Sequence, residues 1–340
     1  IDGSHGEGGG QLARLAMALA AVTGRTIRLR NIRAGRARPG LAAQHLAAVR
    51  AVAALSGGKL EGAALGATEL EFHPGAIRGG DYRFEVGTAG SIALVLQAAL
   101  PVALHADGPC RLTIRGGTDV KLAPPMDYLR DVFLPWLART GVQARLESVT
   151  RGYYPRGGGE VRLSVLPAVQ LKPLQAETPG PLLEIRGRAH VAHLPMQIPQ
   201  RMAAAAREAL SGLGSVDIET RVLGDDEAVG RGGALLLTAR REHSLLGSAV
   251  IAERGVPAES LGTDAGQALR AEIEAGVAVD IHAADQLLIY AALAAGRSVF
   301  TVRTVTPHTR TVMWLIQQFL RVNFEVTETP GGYRIDVVHG

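Results

Sequence analysis

The sequence predicts an α/β (α+β) protein: three repeated units, each a small sheet covered by two helices, plus an inserted smaller α/β domain. Three observations carry this. One order of elements recurs three times: a Gly-bearing turn, an Ala/Leu-rich helix, a strand, a second helix and a closing strand. Apolar residues fall at helical or alternating spacing inside these elements. A stretch from about Thr178 to Gly276 breaks the rhythm, bounded by Pro179 and Pro181 at one end and Gly276 at the other. The expected domains are a large one of residues 1–177 and 277–340 and an insert of residues 178–276.

In the first copy, Gln11 to Val22 reads as the helix, Thr26 to Ile32 as the strand, Gln44 to Leu55 as the second helix and Glu69 to His73 as the closing strand. In the second, the same four elements are Ser91 to Leu104, Arg111 to Arg115, Met126 to Thr140 and Glu160 to Leu166. In the third they are Ala283 to Ala295, Ser298 to Thr304, Thr311 to Val322 and Tyr333 to Val338. Leu129, Val132, Phe133, Trp136 and Leu137 recur at three- and four-residue intervals, which gives one buried helical stripe. Arg111 to Arg115 alternates as a half-buried strand should. In the insert, strands are expected near Leu182 to Val191 and Ala234 to Arg240, and helices near Gln200 to Leu213 and Asp264 to Ala275.

Composition narrows the function classes. The 340 residues are 47% hydrophobic and 20% charged, enough to bury a sizeable core and too few charges for a disordered chain. Only 4% are aromatic, which disfavours a base-stacking platform of interleaved aromatics. The single cysteine, Cys110, excludes an internal disulfide framework and a cysteine-rich zinc site. The longest apolar stretch, Ile92 to His105, carries Gln97 and Pro101 and reads as a buried core helix, so no membrane span is expected. No secretory leader is visible at Ile1, and the expected compartment is the cytoplasm. Charge is uneven. The net charge is +4, yet the first 50 residues hold eight Arg against Asp2 and Glu7, so +6 lies there and −2 elsewhere. The insert holds 13 acidic and 10 basic residues. A local basic face suits phosphate or nucleic acid, and it also suits a solvated Arg-rich surface.

Several short segments could carry chemistry. Gly6-Glu7-Gly8-Gly9-Gly10-Gln11 precedes a helix, where glycines allow close backbone approach and the helix N-terminus favours anions. It is neither a P-loop nor a complete dinucleotide fingerprint. Glu7 inside it suits a metal ligand better than a phosphate contact; a plain flexible turn is the alternative. Arg33, Arg36 and Arg38, beside Gly35 and Gly40, offer forked donors to phosphate. Arg78-Gly79-Gly80, Arg115-Gly116-Gly117 and Arg156-Gly157-Gly158 repeat the theme and suggest one polyanion site assembled from several repeats. His308, in Thr306-Pro307-His308-Thr309, sits between strand and helix, where a neutral imidazole can act as a nucleophile or simply be an exposed loop histidine. Asp280 to Gln286 opens a helix. Asp285 could orient a hydroxyl or imidazole there, or only match the helix dipole.

Together these segments resemble the RNA 3′-terminal-phosphate cyclase family from Asp2 to nearly the C-terminus, most closely in the repeats. The residues carrying the resemblance are Gly6 to Gln11 (GEGGGQ), Ile32 to Gly40 (IRAGRARPG), Gly79 to Phe84 (GGDYRF) and Gly87 to Gln97 (GTAGSIALVLQ). Gly116 to Asp119 with Pro124 and Pro125, Arg151 to Gly159 (RGYYPRGGG) and Ala284 to Leu287 complete the set. The resemblance implies three βαβαββ-like repeats with four-stranded sheets and an inserted small domain. It also implies an ATP-dependent enzyme in which His308 becomes adenylylated, passes AMP to an RNA 3′-phosphate and leaves a 2′,3′-cyclic phosphate.

By the same resemblance, Gln97, Pro124 and the run His282, Ala283, Ala284, Asp285 and Gln286 form the ATP pocket. Gln11, Arg14, Arg33, Arg36 and Gln44 hold the RNA phosphate, and Glu7 binds Mg²⁺ or Mn²⁺. Two positions depart from the family: His282 stands where a tyrosine is expected beside adenine, and Val120 follows Asp119 where a polar residue is common. ATP is then a substrate and an RNA 3′-phosphate end the partner, with DNA not the main substrate and no membrane. A non-catalytic relative acting as an RNA-binding or ribosome-assembly scaffold is the rival reading. Such relatives lack the histidine that His308 supplies.

Overall fold

The computed structural model describes residues 1–168 and 170–340. In chain order, α1 (Gly10–Thr23), β1 (Ile27–Leu29), α2 (Ala43–Leu55), β2 (Lys59–Glu61) and β3 (Leu70–His73) come first. They are followed by β4 (Gly80–Glu85), α3 (Ile92–Ala103), β5 (Cys110–Gly116), α4 (Met126–Tyr128), a π-turn at Leu129–Phe133, α5 (Leu134–Arg139), β6 (Ala144–Gly152) and β7 (Gly159–Val165). After β8 (Gln175–Ala176), the middle stretch contains β9 (Leu182–Ala192), α6 (Gln197–Ala209), β10 (Val216–Leu223), β11 (Ala228–Val229), β12 (Gly232–Arg241), β13 (Leu245–Ile251) and α7 (Ala258–Ala275). The chain closes with α8 (Ile281–Leu293), β14 (Ser298–Val302), α9 (Pro307–Gln317), β15 (Val322–Thr329) and β16 (Gly332–His339).

The mixed α/β class expected from the sequence is what the structure has. The strands form four sheets, with orders β1-β3-β2, β11-β6-β7-β5-β4, β15-β16-β14-β8 and β10-β9-β12-β13. Four strands in each of the three body sheets is therefore corrected to three, five and four. In the first sheet only a single parallel bridge joins Asp2 to Arg30. The Asp2 carboxylate accepts the Ser4 N–H at 2.9 Å and turns the chain away after that one residue. In the second sheet, β11 reaches across from the middle stretch to pair with Arg151 and Gly152 and adds a fifth strand.

Some boundaries move as well. The helix expected at Thr311 to Val322 runs Pro307–Gln317, because the Thr306 side chain accepts the Thr309 N–H and Pro307 takes the first helical position. The helix expected from Asp264 starts at Ala258, and the one expected from Gln200 starts at Gln197. Strands such as β15 and β10 escaped the sequence reading because their side chains are largely exposed and do not alternate cleanly.

One apolar core runs through α1, α2, α3, α8 and the body sheets, and a second lies between α6, α7 and the β9-containing sheet. Within the first core α1 packs on α3 and α9, and α3 packs on α8. That packing gathers residues of four helices at one end of the body. Among the described residues, no helix is long and apolar enough to cross a membrane.

The seam between body and middle stretch is polar. Arg151, buried, donates to Asp119 Oδ1 at 3.0 Å and to Asp127 Oδ1 at 2.7 Å. His190 of β9 lies against both carboxylates, 3.9 Å from Asp119 Oδ2 and 3.5 Å from Asp127 Oδ2, and burial lowers its pKa. Trp136 Nε1 donates to the Leu245 carbonyl at 2.8 Å, and Tyr128 Oη donates to Asp280 Oδ1 at 2.6 Å.

Candidate active site

Local helix geometry decides which side chains converge. Gln11 and Arg14 lie one turn apart on α1 and share a face, as do His282, Asp285 and Gln286 on α8. Gln97 comes from α3, Pro124 from the loop after β5, and His308 from the first turn of α9. All eight line one cavity of about 660 Å³. Asp280 caps α8 by accepting the His282 and Ala283 N–H groups and also takes the Tyr128 hydroxyl and the Gly247 N–H. The start of α8 is thereby fixed to both body and middle stretch.

The glycine run before α1 is a packing device. Gly6 adopts φ +60°, and a Cβ there would lie 2.2 Å from the Thr311 hydroxyl on α9, so only glycine lets this loop pass beneath the helix that carries His308. The loop brings Glu7 to that histidine. His308 Nδ1 is 3.0 Å from Glu7 Oε2 and 3.0 Å from Gln11 Oε1. The Gln11 amide is oriented from its other end, where its Nε2 donates to Asp285 Oδ2 at 3.1 Å. With acceptors on both partners, Nδ1 carries the imidazole proton and Nε2 keeps the lone pair.

Asp285 is recessed in the cavity wall. Burial pushes its carboxyl up to about 7, against the hydrogen bond from Gln11, with Asp280 pushing the same way and Arg14 opposing. Ionised Asp285 accepts the Gln11 N–H and turns Gln11 Oε1 toward His308. Protonated, it becomes a donor and removes that preference. Any reaction that uses His308 Nε2 is expected to gain a limb that falls as pH drops through about 7. In Asp285→Asn that limb should flatten; an identical pH–rate profile in the variant would refute the relay.

Arg14 is the strongest anion receptor in the wall. It is 5% exposed, its Nη2 lies 3.4 Å from Gln97 Oε1, and its Nε is buried without a partner. Burial lowers its pKa to about 10, with Asp285 opposing, so it remains cationic near neutrality. Gln286 Oε1 is likewise buried without a partner, an acceptor suited to an exocyclic amine. Arg36, 3.8 Å from Glu7 Oε2, and Glu7 itself stand outside the cavity lining and join it only through His308.

Not every expected site residue faces this cavity. The Ala283 and Ala284 side chains are fully buried in the apolar core, because α8 turns positions two and three residues after Ile281 inward. Arg33 donates to the Gly40 carbonyl at 2.7 Å, and Gln44 Oε1 accepts the Ser91 N–H at 2.9 Å; neither lines the cavity. Between them and Arg14 sits buried His45, whose pKa falls to about 3 through burial and the neighbouring Arg14, Arg33 and Arg36. The Arg–Gly loops also do not form one polyanion site. Arg78 pairs with Asp107 at 2.7 Å, and Arg115 with Glu85 at 3.6 Å and Glu160 at 3.8 Å.

The middle stretch supplies a wall that the sequence reading missed: Val250, Ile251, Glu253, Leu261 and Asp264 line the cavity, and Lys121 Nζ closes it on Glu253 at 2.7 Å. Nothing periodic in residues 250–264 marks these positions. For a metal, the chemistry of the donor set is limited. Among the described residues no group of three or more His, Cys, Asp or Glu side chains gathers. Glu7 is one half-exposed carboxylate, which fits an ion that takes its remaining ligands from phosphate and water.

Comparison with known proteins identifies the chain's relatives. The family model described as RNA 3′-terminal phosphate cyclase matches residues 5–326. The chain is 53% identical over 328 residues to the "RNA 3′-terminal phosphate cyclase" of Nitrosospira multiformis, covering 96% of this chain and 93% of that protein. It is 44% identical over 336 residues to the protein of the same name from Methanopyrus kandleri, covering 97% and 96%. A solved EPSP synthase from Acinetobacter baumannii is 14% identical at a TM-score of 0.31, covering 97% of this chain and 63% of that one, too distant to bear on function. The chain belongs to the RNA 3′-terminal phosphate cyclase family.

Proposed function

We propose that this protein uses ATP to convert an RNA 3′-terminal phosphate into a 2′,3′-cyclic phosphate through a covalent His308–AMP adduct. The observation that carries the reading is the hydrogen bonding of His308, whose Nδ1 faces Gln11 Oε1 and Glu7 Oε2 and whose Nε2 is left free. In the first step Nε2 attacks the α-phosphorus of ATP; a P–N bond forms, the bond to the bridging oxygen breaks, and pyrophosphate leaves with that electron pair. The buried Arg14 guanidinium stabilises charge on the phosphoryl oxygens. His282 and Pro124 provide surfaces for the adenine, with Gln286 Oε1 accepting from its amino group. A Mg²⁺ or Mn²⁺ ion held by the nucleotide and Glu7 would neutralise phosphate charge.

In the second step an oxygen of the RNA 3′-phosphate attacks the adenylyl phosphorus and the P–N bond breaks, which restores His308 and gives a diphosphate-linked end. The neighbouring 2′-hydroxyl then attacks the RNA phosphorus, loses its proton and expels AMP. Arg36, beside Glu7, is the residue suited to hold the incoming end.

The test is incubation with ATP, a divalent metal and 3′-phosphorylated RNA. The expected product has a terminal phosphate resistant to phosphatase, formed with release of AMP and pyrophosphate. A terminus that stays phosphatase-sensitive would sink the reading. Arg36→Ala should slow AMP transfer to RNA about tenfold while leaving self-adenylylation within about twofold; equal loss in both steps would remove Arg36 from the RNA end.

A further inference from the structure

A second cavity of about 710 Å³ lies on the seam between body and middle stretch, outside the site described above. Tyr153, Tyr154, Arg156, His193, Asp225 and Arg231 stand on its wall. Its floor is a small separate apolar cluster of Tyr153, Ala192, Leu223 and Ala228. The cavity is held open by built structure: β11 pairs with β6, and the Arg151 N–H donates to the Glu227 carbonyl at 2.7 Å.

Three properties point to a ligand. The Tyr154 ring is 82% exposed, an unusual cost for an aromatic side chain in a chain so poor in them. Arg156 and Arg231 are exposed, and neither has a carboxylate partner among the described residues, unlike Arg78 and Arg115 in the other Arg–Gly loops. Tyr153 is 3% exposed with its hydroxyl unpartnered. The one carboxylate on this wall, Asp225, faces His193 Nδ1 at 3.4 Å. A flat ring beside two free guanidinium groups matches a nucleobase and its adjoining backbone phosphate.

A chain of packing contacts leads from the second cavity toward the first. At Gly157 (φ +64°) a Cβ would lie 2.8 Å from Ala89 Cα and from the Thr88 carbonyl, so the Arg156 loop rests directly on that segment. The next two residues, Gly90 and Ser91, rest on Gln44, and a Cβ on Gly90 would be 3.0 Å from Gln44 Cβ. Arg33 and Arg36 are close enough to repel one another, and Arg36 leads through Glu7 to His308.

We infer that the second cavity binds the substrate RNA strand upstream of its 3′ end, with a base stacked on Tyr154 and a phosphate between Arg156 and Arg231. This rests on the reading of RNA ends as the substrate. The occupant is single-stranded, since a base inside a duplex has both faces covered by its stacked neighbours and none free for the ring.

The test is equilibrium binding of 3′-phosphorylated oligoribonucleotides to the full chain, a dinucleotide against a decamer, followed by fluorescence anisotropy. The decamer should bind more tightly. Tyr154→Ala and the double variant Arg156→Ala/Arg231→Ala should each weaken decamer binding about tenfold and leave the dinucleotide unchanged. All three side chains are exposed, so the variants keep their fold. Unchanged decamer affinity, or equal loss for both lengths, would overturn the assignment. Cyclisation of the dinucleotide, measured in the same samples, reports separately on the reaction at His308, so failure there is told apart from failure of the second cavity.

Discussion

Alanine at position 308 is expected to abolish transfer of labelled AMP from ATP to the chain. The wild type should yield an acid-labile, hydroxylamine-sensitive adduct, and His308→Ala should lower its rate by a factor on the order of 10⁴ or more, because His308 is the cavity imidazole whose Nδ1 is held by Gln11 and Glu7 with Nε2 left for attack. His282, the other histidine there, sits edge-on to Tyr128, with ring centroids 6.5 Å apart. Gln11→Ala should keep the adduct and slow its formation about ten- to a hundredfold with little change in the KM for ATP, since Gln11 only sets which nitrogen holds the proton. Equal labelling of His308→Ala and wild type would dismiss this histidine as the nucleophile.

Removing the charge of Arg151 should destabilise the protein by about 3–5 kcal/mol, the cost of leaving buried carboxylates without their cation. Asp119 and Asp127 are 3% and 1% exposed, and Arg151 bonds to both. Arg151→Met should therefore lower the denaturant midpoint at unchanged slope. The triple change with Asp119→Asn and Asp127→Asn should recover much of the loss. By contrast, Arg28→Ala breaks a 2.9 Å pair with Glu69 in which both side chains are about half exposed, and should cost under about 1 kcal/mol. A loss at Arg151 no larger than at Arg28 would show that the seam network does not hold the fold together.

The seam also shows why the site was only partly legible in sequence. Helices α1, α3 and α8 announce themselves by their long Ala/Leu runs, and their polar exceptions, Gln11, Arg14, Gln97 and Asp285, stand out against those runs as candidates. Ala283 and Ala284 could be separated from His282, Asp285 and Gln286 only once the phase of α8 against the core was known. Glu253 and Asp264 carry no sequence signal at all. They belong to the cavity because β13 and α7 lie across from α8, a relation set by contacts between residues far apart in the chain.

Likewise, four Arg–Gly loops look alike in one dimension, and ion pairing sorts them. Arg78 pairs with Asp107 and Arg115 with Glu85 and Glu160, Arg36 has Glu7 at 3.8 Å, and Arg156 has no carboxylate partner among the described residues.

By itself, the sequence determined the mixed α/β class, the main helices, the family and the local excess of positive charge near the N-terminus. The family follows from the resemblance of whole segments to known proteins, and the rest from residue type and short-range spacing. Only the tertiary structure decided that Asp285, Gln11, Glu7 and His308 form one hydrogen-bonded chain, and that Arg14 is buried within reach of it. Those groups are 274 to 301 residues apart where they touch across the fold. Proton position and desolvation depend on distances of a few ångströms between such groups, and no local pattern encodes them.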